Sequence, residues 1–230
     1  MRLFCFHHAG GGGTMFNAWD KALGPGVDVI PVEILNRERF STLSDLVDEV
    51  DQQLRPGLEG PHAFFGHSFG ALLAYRLACR RAESGLILPR VLMVSSFAPP
   101  HLPPPIPAVD HLDDHQLTIM LCALGGIPPE LTDWPVLRDK AVAAARIDLQ
   151  LCMTDSELAP VTLPCPIHAF GGADDPLVTE SDLTEWRTRT SGEFSVHVLR
   201  GGHFYLSDGP QLHTLLMRLL SRLPAASQKC

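Results

Sequence analysis

The chain of 230 residues carries 18 Lys and Arg against 26 Asp and Glu, a formal net charge of −8, with 45% hydrophobic and 19% charged residues. That length sustains one sizeable core, so a single domain over residues 1–230 is expected. The acidic balance argues against nucleic acid or an anionic membrane as the main partner, and no run of eighteen apolar residues is present to span a bilayer.

In chain order, short apolar runs alternate with amphipathic stretches, the rhythm of βα units on a mostly parallel sheet flanked by helices. Arg2 to Phe6 reads as a strand, which begins too early to leave room for a secretory signal, and a cytoplasmic protein is expected. His7-His8-Ala9 and four glycines, Gly10 to Gly13, then lead into a helix capped by Thr14. Val27 to Ile34 is the next strand. Thr42 and Asp45 form a capping box for a helix whose Leu43, Leu46, Val47, Val50 and Leu54 line one face. Ala63 to Phe65 is a buried strand that runs into Gly66-His67-Ser68-Phe69-Gly70, and Ala71 to Cys79 is helix-forming and apolar almost all round.

Beyond that helix, Val91 to Ser96, Ile167 to Phe170 and Phe194 to Leu199 read as strands. A helix opens at Thr179 with Asp182 completing its box, and Leu212, Leu215, Leu216, Leu219, Leu220 and Leu223 mark a closing helix with a frayed tail after Pro224. Between Ser96 and Pro166 the rhythm stops for about seventy residues, too long for a structureless loop in a compact domain. It opens with a proline-rich stretch, Pro99 to Pro107, followed by helical patterns around 113–124 and 136–153. This insertion, about residues 99–163, is expected to form a helical lid over a substrate channel.

Gly66 to Gly70 is where chemistry enters. A serine between two glycines, after a strand and before a helix, sits on a sharp strained turn that exposes its hydroxyl, and glycine at either side lets strand and helix pass closely. Serine is a weak nucleophile at neutral pH and needs a base oriented by a carboxylate. His203, in Gly201-Gly202-His203-Phe204 after the last strand, is the candidate base. His67, next to the serine, is expected to point away from its hydroxyl. The acid belongs after the penultimate strand, in Gly171-Gly172-Ala173-Asp174-Asp175. Asp175 fits a G-x-x-D-x-x-V spacing from Gly172 to Val178 and is preferred over its neighbour Asp174. No carboxylate stands ready after Val91 to Ser96, where Phe97-Ala98-Pro99 follows. The order Ser68, Asp175, His203 is that of an α/β-hydrolase fold.

An oxyanion hole needs two backbone N–H groups, and Phe69, after the serine, supplies one. Ala9, ahead of the glycine loop, is the expected second donor. The loop has no Walker lysine, nor the acidic partner of a dinucleotide fingerprint. His7 and His8 are adjacent on a strand and face opposite ways, which weakens a metal pair. The six cysteines, at 5, 79, 122, 152, 165 and 230, lack C-x-x-C spacing and predict neither disulfides nor zinc. No cofactor is expected.

Over nearly its whole length the chain resembles the type II thioesterases that accompany polyketide synthases and nonribosomal peptide synthetases. The likeness is carried by Leu3-Phe4-Cys5-Phe6 running into His8-Ala9-Gly10-Gly11, with Phe16 and Trp19 beyond, and by Gly66 to Ala71. It continues through Phe170-Gly171-Gly172 with Asp175, Trp186, and Gly201-Gly202-His203-Phe204-Tyr205-Leu206. The resemblance implies Ser68 as nucleophile, His203 as base, Asp175 as acid, and Ala9 and Phe69 as oxyanion donors, with a helical lid. It implies acyl groups delivered on the phosphopantetheine arm of an acyl or peptidyl carrier protein, which an acidic chain would recognise through a local basic patch. Two positions depart from the family: His7 stands where relatives carry proline, and Leu35-Asn36-Arg37 keeps only the arginine of a Pro-Gly-Arg. An acyltransferase or cyclase with the same triad, and a non-catalytic acyl- or carrier-binding module, are the alternative functions.

Overall fold

The computed structural model describes residues 1–106, 108–155 and 161–223. Six strands form one sheet: β1 (Arg2–Phe6), β2 (Asp28–Val32), β3 (His62–His67), β4 (Leu92–Ser95), β5 (Ile167–Gly172) and β6 (Phe194–Leu199). They lie in the order β2-β1-β3-β4-β5-β6 and every neighbouring pair is parallel. β3 and β4 are buried on both faces, which is why their sequences read as unbroken apolar runs rather than alternating ones.

Two apolar layers enclose the sheet. α2 (Leu43–Leu58) and α3 (Phe69–Glu83) cover the side bearing Phe4, Phe6 and Phe64; α1 (Trp19–Leu23) and α7 (Pro210–Ser221) cover the side bearing Leu3, Cys5 and Phe65. The boxes at Thr42 with Asp45 and at Thr179 with Asp182, which opens α6 (Glu180–Thr184), both form as expected. The helix expected at Thr14 does not. A short 3₁₀ turn, Gly13–Phe16, takes its place, and α1 starts only at Trp19. Gly13 opens that turn, and its N–H, an orphan donor at the turn's start, donates to Glu33 Oε1 at 2.9 Å from beyond β2's end.

Between β4 and β5 stand α4 (Asp114–Leu124) and α5 (Pro135–Met153), so this segment carries its own structure; Pro107 and residues 156–160 lie outside the described residues, as does the tail after 223. α4 opens with a capping box from Asp113 and Gln116. α5 is tied down at its end by Thr154 Oγ1, which accepts from Leu43 N at 2.9 Å, and by a paired contact between Arg76 and Asp155 at 2.6 and 2.7 Å. The five described cysteines form no disulfide with one another, and four of them are buried. No described helix is long and apolar enough to cross a membrane.

Backbone segments cross very closely at the end of β3. A Cβ on Gly66 would strike the backbone of Gly70, and one on Gly70 would strike the backbone of Phe6 and His7. Gly70→Ala is therefore expected to destabilise the fold by about 3 kcal/mol or more in chemical denaturation. Gly60→Ala, where a Cβ meets nothing within 4 Å, should stay within about 0.5 kcal/mol of the native chain.

Candidate active site

Ser68 sits between β3 and α3 with φ 55° and ψ −123°, a backbone conformation that L-residues avoid. The turn is held on both sides: Ser68 N donates to Ser95 O at 2.7 Å, and Ala71 N donates to Ser68 O at 2.8 Å. The hydroxyl is thereby aimed at the loop after β6. His203 Nε2 lies 3.0 Å from Ser68 Oγ, and His203 Nδ1 lies 2.9 and 3.1 Å from the two oxygens of Asp175. A carboxylate only accepts, so Nδ1 carries the proton and Nε2 is free to take one from the serine.

The glycines around these residues have a geometric reason. A Cβ on Gly172 would overlap the carbonyls of Gly201 and Gly202, and Gly201 has φ +119°. The loops after β5 and β6 therefore press together, joined by Ala173 N to Leu199 O at 2.7 Å and Asp174 N to Gly201 O at 2.9 Å. This contact sorts the two aspartates. Asp174 uses its amide and leaves its side chain exposed, whereas the Asp175 carboxylate is fully buried against His203. Burial opposes charge on Asp175, but hydrogen bonding and attraction from His203, with the Leu177 amide and Ser96, outweigh it and hold the carboxyl below its ordinary range.

Several supporting groups were invisible as such in the sequence. Ser96, with φ 49°, donates through Oγ to His203 O at 3.2 Å, and its hydroxyl lies near enough to Asp175 to favour the ionised carboxylate. His67 turns away from the serine hydroxyl as expected and joins a chain beneath the site: His67 Nδ1 to Ser95 Oγ at 2.9 Å, then Ser95 Oγ to Tyr205 OH at 2.7 Å. The only sequence signal for these was a pair of serines closing an otherwise apolar strand. Trp186 is fully buried, donating through Nε1 to Phe97 O at 2.7 Å and so anchoring the chain where it leaves β4.

Phe69 is the first residue of α3, where a backbone N–H has no intrahelical acceptor. Ala9 and Ser68 line one small cavity, about 20 Å³, whose other walls include His203, Met120, Leu121, Leu149, Leu177 and Phe204. It is almost wholly apolar. Ile119, by contrast, faces solvent. On the far side of His8 and Phe204, whose rings meet edge to face at 4.7 Å, lies a larger cavity of about 630 Å³ bordered by Gly10 to Gly12, Gly125 and Gly126. The departure at His7 leaves the loop well held: His7 Nδ1 donates to His8 O at 2.8 Å, Gly11 N to His8 O at 3.0 Å, and Gly10 N to Asp148 Oδ2 at 2.8 Å.

A profile of the thioesterase domain family matches residues 1–222. The chain belongs to that family. RedJ, a thioesterase from the prodiginine biosynthetic pathway in Streptomyces coelicolor, superposes with a TM-score of 0.85 at 36% identity, over 96% of this chain and 84% of RedJ. BorB, the type II thioesterase of the borrelidin biosynthetic cluster, does so at 0.83 and 32%, over 96% and 91%. In sequence, linear gramicidin dehydrogenase LgrE of Brevibacillus parabrevis is 34% identical over 224 residues, 93% of this chain and 85% of LgrE. Thioesterase chemistry fits the glycine loop better than dinucleotide binding does, because the Gly10 and Gly13 amides already face the carboxylates of Asp148 and Glu33, which would repel a pyrophosphate. The protein is an α/β-hydrolase enzyme of the type II thioesterase group.

The site is packed with neutral histidines. Burial, with like charge from neighbours, lowers His8 to about 3 and pushes His67 well below the usual imidazole value; burial also takes His7 down to about 4. Asp148 moves the other way, raised by burial to about 6. In the unfolded chain the histidines protonate below about 6.5, so stability falls as pH drops from there, while Asp148 contributes a smaller opposing change between about 6 and 4. Unfolding at pH 5 should take up about two protons net from these four groups. Calorimetry in buffers of different ionisation enthalpy reads the total uptake, to which the lowered His62, His168, His197 and His213 add, so at least about two protons are expected.

Proposed function

We propose that this enzyme hydrolyses acyl thioesters carried on the phosphopantetheine arm of acyl or peptidyl carrier proteins, clearing stalled or incorrect acyl groups from a polyketide or nonribosomal peptide assembly line. The observation that carries this reading is the continuous relay from the strained Ser68 hydroxyl through His203 to the buried Asp175 carboxylate, beside an apolar pocket. The assembly-line setting draws on relatives such as RedJ and BorB.

In the first half-reaction Ser68 Oγ attacks the thioester carbonyl as its proton passes to His203 Nε2. Asp175 holds the imidazole in the required tautomer and stabilises the imidazolium. The carbonyl oxygen becomes an oxyanion held by the Phe69 and Ala9 amides. Collapse breaks the C–S bond, His203 returns the proton to the departing sulfur, and the acyl group is left as an ester on Ser68. In the second half water attacks that ester, its proton goes to Nε2, and the proton returns to Ser68 Oγ as the acid leaves. Every bond change is accounted for by the three side chains and water.

The acyl chain lies among Met120, Leu121, Leu149 and Leu177, contributed mainly by α4 and α5 as the lid. The arm approaches through the larger cavity along the glycine loop, reaching the serine past Phe204. A cavity of about 20 Å³ holds about one water and no acyl chain, so the lid side chains move when substrate enters.

Two substitutions test the relay on an acyl carrier protein thioester. Ser68→Ala should abolish turnover and fluorophosphonate labelling while preserving the melting temperature. Asp175→Asn should lower kcat by about 10⁴-fold through the wrong imidazole tautomer. Near-native hydrolysis by either variant, or an amide or ester product in place of the free acid when a candidate acceptor is supplied, would replace this reading.

A further inference from the structure

Asp148 is a buried charge that the relay does not use. Asp148 projects from α5, fully buried, and its Oδ2 accepts from Gly10 N at 2.8 Å and from Arg37 Nη1 at 2.7 Å. Its Oδ1 is buried with no hydrogen-bond partner among the described residues. Gly10 itself, at φ +74°, rests on the same helix: a Cβ there would lie 2.6 Å from Ala141 O and 2.7 Å from Ala145 Cβ. The residue before Gly10 is Ala9, the proposed oxyanion donor.

A buried ion pair of this kind is poor value as a stabiliser. Desolvation of both partners consumes most of the attraction, and apolar side chains of similar volume commonly hold a fold as well or better. The raised carboxyl of Asp148 shows that Arg37 and the Gly10 amide do not fully offset the burial. What the carboxylate does that leucine would not is fix one particular amide. Gly10 reaches positive and negative φ alike where other residues favour negative φ, so without an acceptor for its amide the turn from His8 to Gly11 has more than one accessible peptide orientation.

We infer that Asp148 is a positioning residue for the oxyanion hole: from α5 it holds the Gly10 amide, and through it the orientation of the Ala9 amide, with Arg37 as its counter-charge. The inference rests on the thioesterase reading and on Ala9 as donor. It makes the hole complete only while α5 is seated, so closure of the helices over an acyl group and assembly of the charge-stabilising site become one event.

The test compares wild type, Asp148→Leu/Arg37→Met and Asp148→Asn on an acyl N-acetylcysteamine thioester and on the matching trifluoromethyl ketone, whose carbonyl the Ser68 oxygen attacks to give a hemiketal oxyanion, its proton passing to His203. The double variant removes both charges together, so a merely structural role predicts native stability and native kcat. Positioning predicts native stability with kcat down by about 100-fold, KM little changed, and affinity for the ketone reduced by the same factor as kcat/KM. Asp148→Asn keeps an acceptor for Gly10 and should recover to within about 10-fold of wild type. A stable double variant with native kcat, or a fall in kcat/KM without the parallel loss of ketone affinity, overturns the inference. Should the double variant not fold, unequal losses of kcat/KM and ketone affinity in Asp148→Asn overturn it likewise. Wild type that fails to hydrolyse the thioester would overturn the functional reading instead, a failure recognisable without any variant.

Discussion

Everything at the reactive end of this molecule depends on three backbone segments passing closer than side chains allow. Gly66 at the end of β3 meets Gly70 at the start of α3, and Gly70 in turn meets Phe6 and His7 at the end of β1. That crossing forces Ser68 to positive φ and leaves its hydroxyl no direction but outward, over the carboxyl ends of the strands. It also brings the loop after β1 within reach of the serine, so the same contact that strains the Ser68 backbone delivers the glycine loop beside it. The energetic cost of the strain is met by the surrounding packing of Phe64, Phe69 and Leu72, all buried.

The opposite wall is built by a second close approach, Gly172 against Gly201 and Gly202. Two loops from adjacent strands, β5 and β6, share hydrogen bonds at Ala173 and Asp174 and thereby set the separation of Asp175 from His203. Beneath them the chain His67, Ser95 and Tyr205 fills the floor with neutral, mutually bonded groups. A buried histidine kept neutral adds no competing charge beside the imidazole of His203.

What the sequence made legible follows from range. The strands and the capping boxes at Thr42 and Thr179 are local events, settled by periodicity and by residues three apart, and they stand where the pattern put them. That Ser68, Asp175 and His203 come together was legible because each sits in a glycine-marked turn after a strand, and chain order did the rest. Thr14 misled because the turn around it is held from a distance: the Gly13 amide donates to Glu33, twenty residues on, and only a short 3₁₀ turn forms. Ser96, Tyr205 and Asp148 were hidden for the same reason. Their meaning lies in partners 79, 110 and 138 positions away, Asp175, Ser95 and Gly10, and no spacing rule reaches that far. In sequence Asp148 is one polar residue on an amphipathic helix; only the packing of α5 onto Gly10 turns it inward.

The small apolar space beside Ser68 bears on how selective such an enzyme can be. If the form that admits an acyl chain is a minor population, the affinity measured for any acyl group is its intrinsic affinity multiplied by that fraction, and every substrate is discounted equally. Groups that reside only briefly on their carrier then turn over elsewhere before the rare open form meets them, whereas a blocked carrier waits. Discrimination between productive and stalled intermediates would arise from dwell time, with no need for the pocket to tell one chain from another.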